Sequence, residues 1–596
     1  MRLTKWLFFV YLAGLGLLVA LLGTSLALVP PRDPQTLYTA YGSNVRTLDP
    51  AEISDTTSSA IAGNIFECLY NYDYYARPYR LFAELAADLP QISADTLTYT
   101  IRLRRGIHFH DPDRAVFPEG RGPELQAHDV IYSLKRIANF HLASPNAAFI
   151  AGKIKGIDDW TRYTQQNSPA RIDWDRPVEG LTALDDYTLQ ITLADPYPQL
   201  VYVLAHLPTA PVSRAAVEHY AERFREHPIG TGAYTLRYRD HQKQQRIVLT
   251  ANPDYRGRPD IDGFTAVDAA QRQPHIRRLQ IDFFKADLPP WFLFRQGLLD
   301  ISAIPKDTFS QAVRQGGELT AAMQRQGVKL VKAPDPTTYY IGFNMLDAVL
   351  GKNKPLRQAM SMAINRQRFI SVYRNGRGEL PIGPIPPGFE SFDPREVNPY
   401  ARFDPPAARD LLAQAQQIHG GPLPKLSLLM SGTDTEDRQM GDFLRSQWEA
   451  MGLRIEVDYT DWARFLDIVE RRRTAQLFFL AWQADYPDEQ NFFQLFYGKN
   501  IGEGGQNNTA WKNQAFDRLY EQASVLPPGP PRTAVYKQMS RLVMDECPWA
   551  LLYYPSSYVL HHGWVDNLLL SDYLHGARQH LKLDSSARSA WLSRNR

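Results

Sequence analysis

"YYIGFNMLDAVLGKNKPLRQAMSMAINRQRFISVYRNG", Tyr339 to Gly376, sets a strand and a helix in succession. "YYIGFNM" reads as a strand. "PLRQAMSMAINRQRFISVYRNG" reads as one helix, with Pro355 at its start, where a fixed φ suits the first turn, and Gly376 just past its end. The alternation continues outward. "AARDLLAQAQQI" (407–418) is helical, "KLSLLMSG" (425–432) a strand, "RQMGDFLRSQWEAMG" (438–452) helical and "LRIEVDYTD" (453–461) a strand. Strands and helices in turn are the mark of an α/β lobe.

The chain before Thr338 is richer in strands. "LTYTIRLRRGIHFHD" (97–111) alternates Leu97, Tyr99, Ile101 and Leu103, as a half-buried strand does. "QAHDVIYSLKRIANF" (126–140) returns to helical spacing with Val130, Leu134 and Ile137 on one face. "TALDDYTLQITLADPYPQL" (182–200) reads as one strand ended by Pro196 and Pro198. Ile61, Ile65 and Leu69 predict a helix, with Ser58 and Ser59 as possible caps. Gly230 and Gly232 of "GTGAY" read as turn residues, since the spacing is not that of a phosphate-cradling loop.

With 596 residues the chain exceeds one compact core, so two or more domains are expected. Lys plus Arg (66) nearly balance Asp plus Glu (64), which gives no basic surface for nucleic acid. Two cysteines, Cys68 and Cys547, rule out a disulfide framework or a cysteine-built zinc site, and leave one disulfide open. Arg2 and Lys5 precede an uncharged, mostly apolar run from Trp6 to Pro31, and Ser25-Leu26-Ala27 offers a cleavage site. The run is also long enough to span a bilayer, so residues 6–29 read either as a cleaved leader or as an uncleaved anchor, with the bulk of the chain exported. No cysteine follows the run, so a lipoprotein anchor is not expected.

"AWQADYPDEQNFFQLFYG", Ala481 to Gly498, poses the functional question. Asp485, Asp488 and Glu489 stand among Trp482, Tyr486, Phe492, Phe493 and Phe496. Asp488 and Glu489 fit a solvated loop around Pro487; Asp485, flanked by Trp482 and Tyr486, fits one less well. A hydrolase reading would pair Asp485 with Asp488 or Glu489 as acid and base. No G-x-S-x-G or H-E-x-x-H occurs, so neither nucleophilic nor zinc-assisted catalysis has a specific sign. His108 and His110 lie on the same side of an extended segment and could reach a metal, but read better as a strand ending in a polar turn. His561-His562 reads as exposed. Arg357, Arg366 and Arg374 read as surface residues.

Blocks in this order resemble the family-5 extracellular solute-binding proteins of ABC importers, the dipeptide, oligopeptide and nickel-binding group. They are "TLDPAEISDTTSSAIAGNIFECLY", "YTIRLRRGIHFHD" with "AHDVIYSLKRI", "PIGTGAYTL" with "IVLTANPDYRG", the stretch Ile341–Phe389, "AWQADYPDEQNFFQLF", "NNTAWKNQAFDRLYEQA" and "DECPWALLYYPSSYVL". The resemblance implies an α/β, two-lobed periplasmic-binding-protein-like fold of class II type, with an extra N-terminal subdomain and two crossing strands. The implied division is 1–35 as leader or anchor, 36–50 with 185–335 and 551–596 as lobe I, 51–184 as the subdomain, and 336–550 as lobe II.

By the same resemblance, the Asp of W-x-x-D-Y pairs with a peptide's N-terminal ammonium, which assigns that role to Asp485. Trp482, Tyr486 and Phe493 become pocket walls, with core packing the alternative for Phe493, and the backbone from Ala481 to Ala484, Gln483 included, becomes a neighbouring strand for an extended ligand. Where some members carry an Arg shortly before the Trp for the ligand carboxylate, this chain has Leu477-Phe478-Phe479-Leu480. The implied protein is a periplasmic, monomeric peptide binder that delivers to an ABC permease, with no catalysis, cofactor, metal or nucleic acid. The alternatives are a non-peptide ligand (nickel chelate, haem or opine) and a membrane-tethered scaffold or chaperone.

Overall fold

A computed structural model describes residues 32–243, 245–257, 274–314, 316–501 and 505–595. The leader or anchor expected over residues 6–29 lies outside them. Among the described residues no helix is long and apolar enough to cross a membrane.

The chain forms two α/β lobes. In the first, strand Thr36–Tyr41 pairs in parallel with Arg278–Phe283, which pairs antiparallel with Arg246–Ala251; the short strands Tyr234–Thr235 and His241–Gln242 complete a five-stranded sheet. In the second, Thr337–Phe343, Leu477–Gln483, Leu426–Ser431 and Ile455–Thr460 lie side by side. Their inner faces, with Ile341, Leu428 and Leu477, pack against Leu356, Met360, Leu444 and Trp448 of the covering helices.

One strand belongs to both lobes. Trp549–His562 runs 14 residues, and its first part pairs with Thr337–Phe343. Its second part pairs with Val328–Pro334, from Ser556↔Pro334 to His562↔Val328. The two crossing strands are therefore hydrogen-bonded neighbours. Pro555 sits at the crossing, where its carbonyl accepts from Asp335 N–H (2.9 Å). We propose that the lobes divide here. The boundary expected at residue 184 cuts a hairpin, because Leu181–Asp185 pairs with Thr188–Thr192 in one four-stranded sheet with Thr98–Arg102. We propose that the subdomain runs to about residue 193.

Local details depart from the sequence expectations where polar side chains intervene. The helix expected over 355–375 is two helices, Lys354–Met362 and Arg366–Arg374, because Asn365 caps the second by accepting from Arg368 N–H. The carbonyls of Ser361 and Ile364 at the break are taken by the Arg366 guanidinium (2.9 and 3.2 Å), which also reaches Leu551 O (2.6 Å). Arg366 is thus a buried clamp between helix and crossing strand, not a surface residue. Arg357 is buried likewise, donating to the carbonyls of Leu350 and Glu546. Arg374 is half-buried against the Tyr553 hydroxyl (2.6 Å). An arginine can replace water for several carbonyls at once, which a sequence pattern does not reveal.

The helix expected through Ile61, Ile65 and Leu69 stops at Ala62 and is capped by Asp55, not by a serine. Gly232 N–H donates to Ile65 O (2.8 Å), and a side chain at Gly230 would meet that oxygen at 2.2 Å. These glycines therefore serve close approach rather than a turn. The "TALDDYTLQITL" segment is a hairpin, not one strand. His561 and His562 are buried. His562 stacks on Trp564 (4.0 Å between ring centroids) and its ring bonds Phe294 O (2.8 Å). Cys68 and Cys547 are buried in separate clusters and are not bridged.

Arg366→Ala removes the guanidinium's bonds to Ser361 O, Ile364 O and Leu551 O from the interior, leaving the first two to backbone N–H donors alone. The expected result is a loss of about 3 kcal/mol of stability, read as a lowered urea midpoint with secondary structure retained before the transition.

Candidate functional site

The strand Leu477–Gln483 carries the "AWQADY" segment to the junction of the lobes. On one side it pairs along its whole length with Thr337–Phe343, in the register Trp482↔Thr338 and Gln483↔Thr337. On the other it meets Leu426–Ser431 only at Leu477 and Phe478. Beyond Phe478 that edge pairs with no strand among the described residues. Such an edge offers backbone donors and acceptors to an extended guest.

Asn491 fixes the turn beyond the strand. It is buried, and its Oδ1 accepts from the Trp482 indole N–H (2.8 Å) and from Asp485 N–H (3.2 Å). Its Nδ2 donates to Asp485 Oδ2 (3.0 Å). One amide thus orients both residues, and "Q-N-F-F" alone gave no hint of it. Asp485 is exposed to a cavity of about 720 Å³. Protein encloses it on its other sides, and this burial raises its pKa above the ordinary carboxylate value, opposed by the Asn491 bond.

Gln483, Ala484 and Asp485 line the cavity. Most of the remaining wall comes from lobe I, including Tyr72, Tyr202 and the loop between Asp566 and Lys582. That loop is closed at its base by the pairing of Val565–Asp566 with Lys582–Leu583. It is pinned by Asn71 Nδ2, which donates to His575 O (3.1 Å), and by the Tyr74 hydroxyl, which donates to Asn567 O (2.5 Å). Its Asp572, Tyr573 and Arg578 reach the cavity and escaped the sequence reading. The available signal was an acid beside a tyrosine in an apolar run, as in Asp485-Tyr486.

Three expected wall residues lie elsewhere. Phe493 is fully buried and packs on Phe516 and Tyr536, so it belongs to the core. Trp482 is half-buried, with its indole turned to Asn491. Tyr486 is buried and stacks on Tyr202 of lobe I, 5.7 Å between centroids with the ring planes nearly parallel, so it joins the lobes beside the cavity.

The two acids expected to solvate a loop are buried. Asp488 forms an ion pair with Arg532 and accepts from the Tyr536 hydroxyl (2.9 Å). Arg532, from the proline-rich "VLPPGPPR", is itself 2% exposed. Glu489 Oε1 accepts from Ser391 N–H (2.6 Å), and burial beside Asp488 pushes its pKa up to about 7. Asp488 and Glu489 are therefore engaged in the frame, and only Asp485 of the three lines the cavity. The acid–base pair of the hydrolase reading is not assembled. His108 and His110 lie on a strand, and His108 Nδ1 contacts Gly122 O (3.0 Å). No group of three or more His, Cys, Asp or Glu among the described residues is placed to hold a metal.

Two lobes on paired crossing strands, with a cavity where they meet, define the class: a solute-binding protein. Comparisons agree. A profile described as bacterial extracellular solute-binding proteins, family 5 (middle part), matches residues 80–504, and the chain belongs to this family, the binding components of ABC importers. The chain is 24% identical over 554 residues to the glutathione-binding protein GsiB of Salmonella choleraesuis, covering 92% of this chain and 93% of that one. Among solved structures, HbpA2 from Haemophilus parasuis superposes with a TM-score of 0.73 at 20% identity, covering 92% of this chain and 100% of the other. The periplasmic binding protein DppA from Helicobacter pylori, in complex with the peptide STSA, gives 0.66 at 21% identity, covering 92% and 98%.

Glu489 yields a pH test. Its folded pKa, about 7, exceeds its ordinary 4.5, so between those values the folded protein holds the extra proton. The group's contribution to stability therefore falls as pH rises through that window and stays low above it. Glu489→Gln is expected to flatten the decline of Tm between about pH 5 and about pH 8, measured against the parent protein. Arg532→Leu strands Asp488 as a buried charge, and a loss of about 3–5 kcal/mol is expected by denaturant titration.

Proposed function

We propose that the protein captures a peptide or peptide-like solute between its lobes in the periplasm and delivers it to the membrane subunits of an ABC importer, as a monomer and without catalysing a reaction. The observation that carries the reading is Asp485. Its carboxylate faces the cavity at the end of an unpaired strand edge, held by Asn491, with no lysine or arginine in ion-pair distance among the described residues. A carboxylate on a cavity wall loses its water when a ligand fills the cavity, which is costly unless a cation meets it, and an α-ammonium satisfies both its charge and its hydrogen bonds. The open edge beyond Phe478 supplies backbone partners whatever the side chains, as a binder of varied peptides requires. Tyr486 on Tyr202 gives the lobes a contact that hinge closure forms.

The peptide ligand in the DppA structure and the glutathione in the name of GsiB favour a peptide-like solute over a nickel chelate, haem or opine. Arg578 on the cavity wall is a candidate for the ligand carboxylate that the run Leu477–Leu480 has no arginine to hold.

Native mass spectrometry of the protein from about residue 33 onward, before and after adding a pool of short peptides, tests the reading. A ladder of peptide masses is expected; one discrete non-peptide mass, or no uptake, overturns it. With a peptide so identified, Asp485→Asn is expected to weaken binding by about 2–5 kcal/mol by calorimetry, and N-acetylating the peptide to weaken it comparably for the parent protein.

A further inference from the structure

The cavity holds a second carboxylate that the ammonium pairing at Asp485 does not use. Asp572 lies on the lobe I loop, lines the same cavity as Asp485 and is exposed to it. Among the described residues it has no ion-pair partner and its carboxylate accepts no hydrogen bond. Two charged groups from other elements face it: Arg77, whose guanidinium is turned to Leu570 O (2.9 Å), and Asp335 at the crossing. Burial and Asp335 push the Asp572 pKa up to about 7, which Arg77 opposes.

A third group links the two acids. Tyr573 is 5% exposed and lines the cavity, and its hydroxyl has no hydrogen-bond partner. That hydroxyl lies within electrostatic range of both Asp485 and Asp572. A buried hydroxyl that bonds to nothing is uncommon in a native protein, and this one stands behind the cavity wall near both carboxylates. Asp55 adds negative potential from the same wall, where Arg578 is the single lysine or arginine. The lining therefore carries three acids against one cation.

We propose that the site selects a solute with two cationic centres, one met by Asp485 of lobe II and the other by Asp572 of lobe I. Within the peptide reading, on which this rests, the ligand class is a short peptide bearing a basic side chain: two cations for the two acids, and one carboxylate for Arg578. A neutral side chain would leave Asp572 enclosed and unpaired, so the lobes would close on it less favourably. A dicationic solute ties one lobe to the other through its own charges.

The test uses two equimolar pools of two- to five-residue peptides that differ only in lysine or norleucine at one position, with cadaverine as a non-peptide diamine. Binding is read by native mass spectrometry and calorimetry. The lysine pool is expected to bind about tenfold to a hundredfold more tightly than the norleucine pool, the range for a charge pair shielded from bulk water. Asp572→Asn should reduce that advantage to within about twofold, and Asp572→Glu should restore most of it. Melting curves confirm that each variant is folded. Equal binding of the two pools overturns the two-cation inference and leaves the peptide reading standing, as does a lysine preference that survives Asp572→Asn. Cadaverine bound in an Asp485- and Asp572-dependent way, with neither pool bound, keeps the inference and overturns the peptide reading. Binding of none of the three overturns both.

Discussion

The pairing of Trp549–His562 with the chain from Val328 to Phe343 is the constraint on which the rest depends. A single strand takes its hydrogen bonds from lobe II over one part and from lobe I over the other. The lobes cannot drift apart without breaking a β-ladder, and the ladder changes partner near Asp335 and Pro555, where we place the hinge. A proline suits that place, because its missing N–H removes one ladder bond where a straight strand is not wanted. Everything that meets at the cavity is brought there by this crossing: the end of Leu477–Gln483 from one side and the loop between Asp566 and Lys582 from the other.

Around the crossing, charge is sorted by role. Asp488 and Arg532 are withdrawn from water together and bonded to each other and to Tyr536, with Arg532 Nη1 left without a hydrogen-bond partner among the described residues. Buried pairs of this kind add little net stability but penalise any arrangement that separates them, so they favour one packing of the helix Pro530–Glu546 against the "YPDE" turn. Arg366 and Arg357 serve the frame differently, saturating backbone carbonyls with no acid beside Arg366. Asp485 and Asp572 are the exception. They line the cavity without an ion-pair partner among the described residues, the arrangement expected where the partner comes from outside.

Much of the architecture was legible in the chain. Apolar residues at period two placed Thr98–Arg102, and those at helical spacing placed Ala127–Ile137. The alternation after Thr338 gave the helices and strands of lobe II in order. The failures share a cause. Gly230 and Arg366 act through contacts with segments far along the chain, at Ile65 and Leu551, and Asn365 breaks a helix through one side-chain bond to Arg368 N–H; no apolar period encodes these. The misplacement of Asp488, Glu489, His561 and His562 on the surface has the same origin. A polar residue is expected outside until its buried partner is known, and Arg532 lies 44 positions from Asp488.

For the site, the sequence by itself determined the family pattern and singled out Asp485, because an acid between Trp482 and Tyr486 is anomalous without any structure. Tertiary structure alone decided the rest. It put Phe493 in the core, made Asn491 the brace, and brought Asp572 and Tyr573 to the same cavity from almost ninety residues further along. The physical reason is that a carboxylate's meaning lies in what surrounds it. Local sequence shows the neighbours along the chain, while the absence of a countercharge is a property of the whole enclosure.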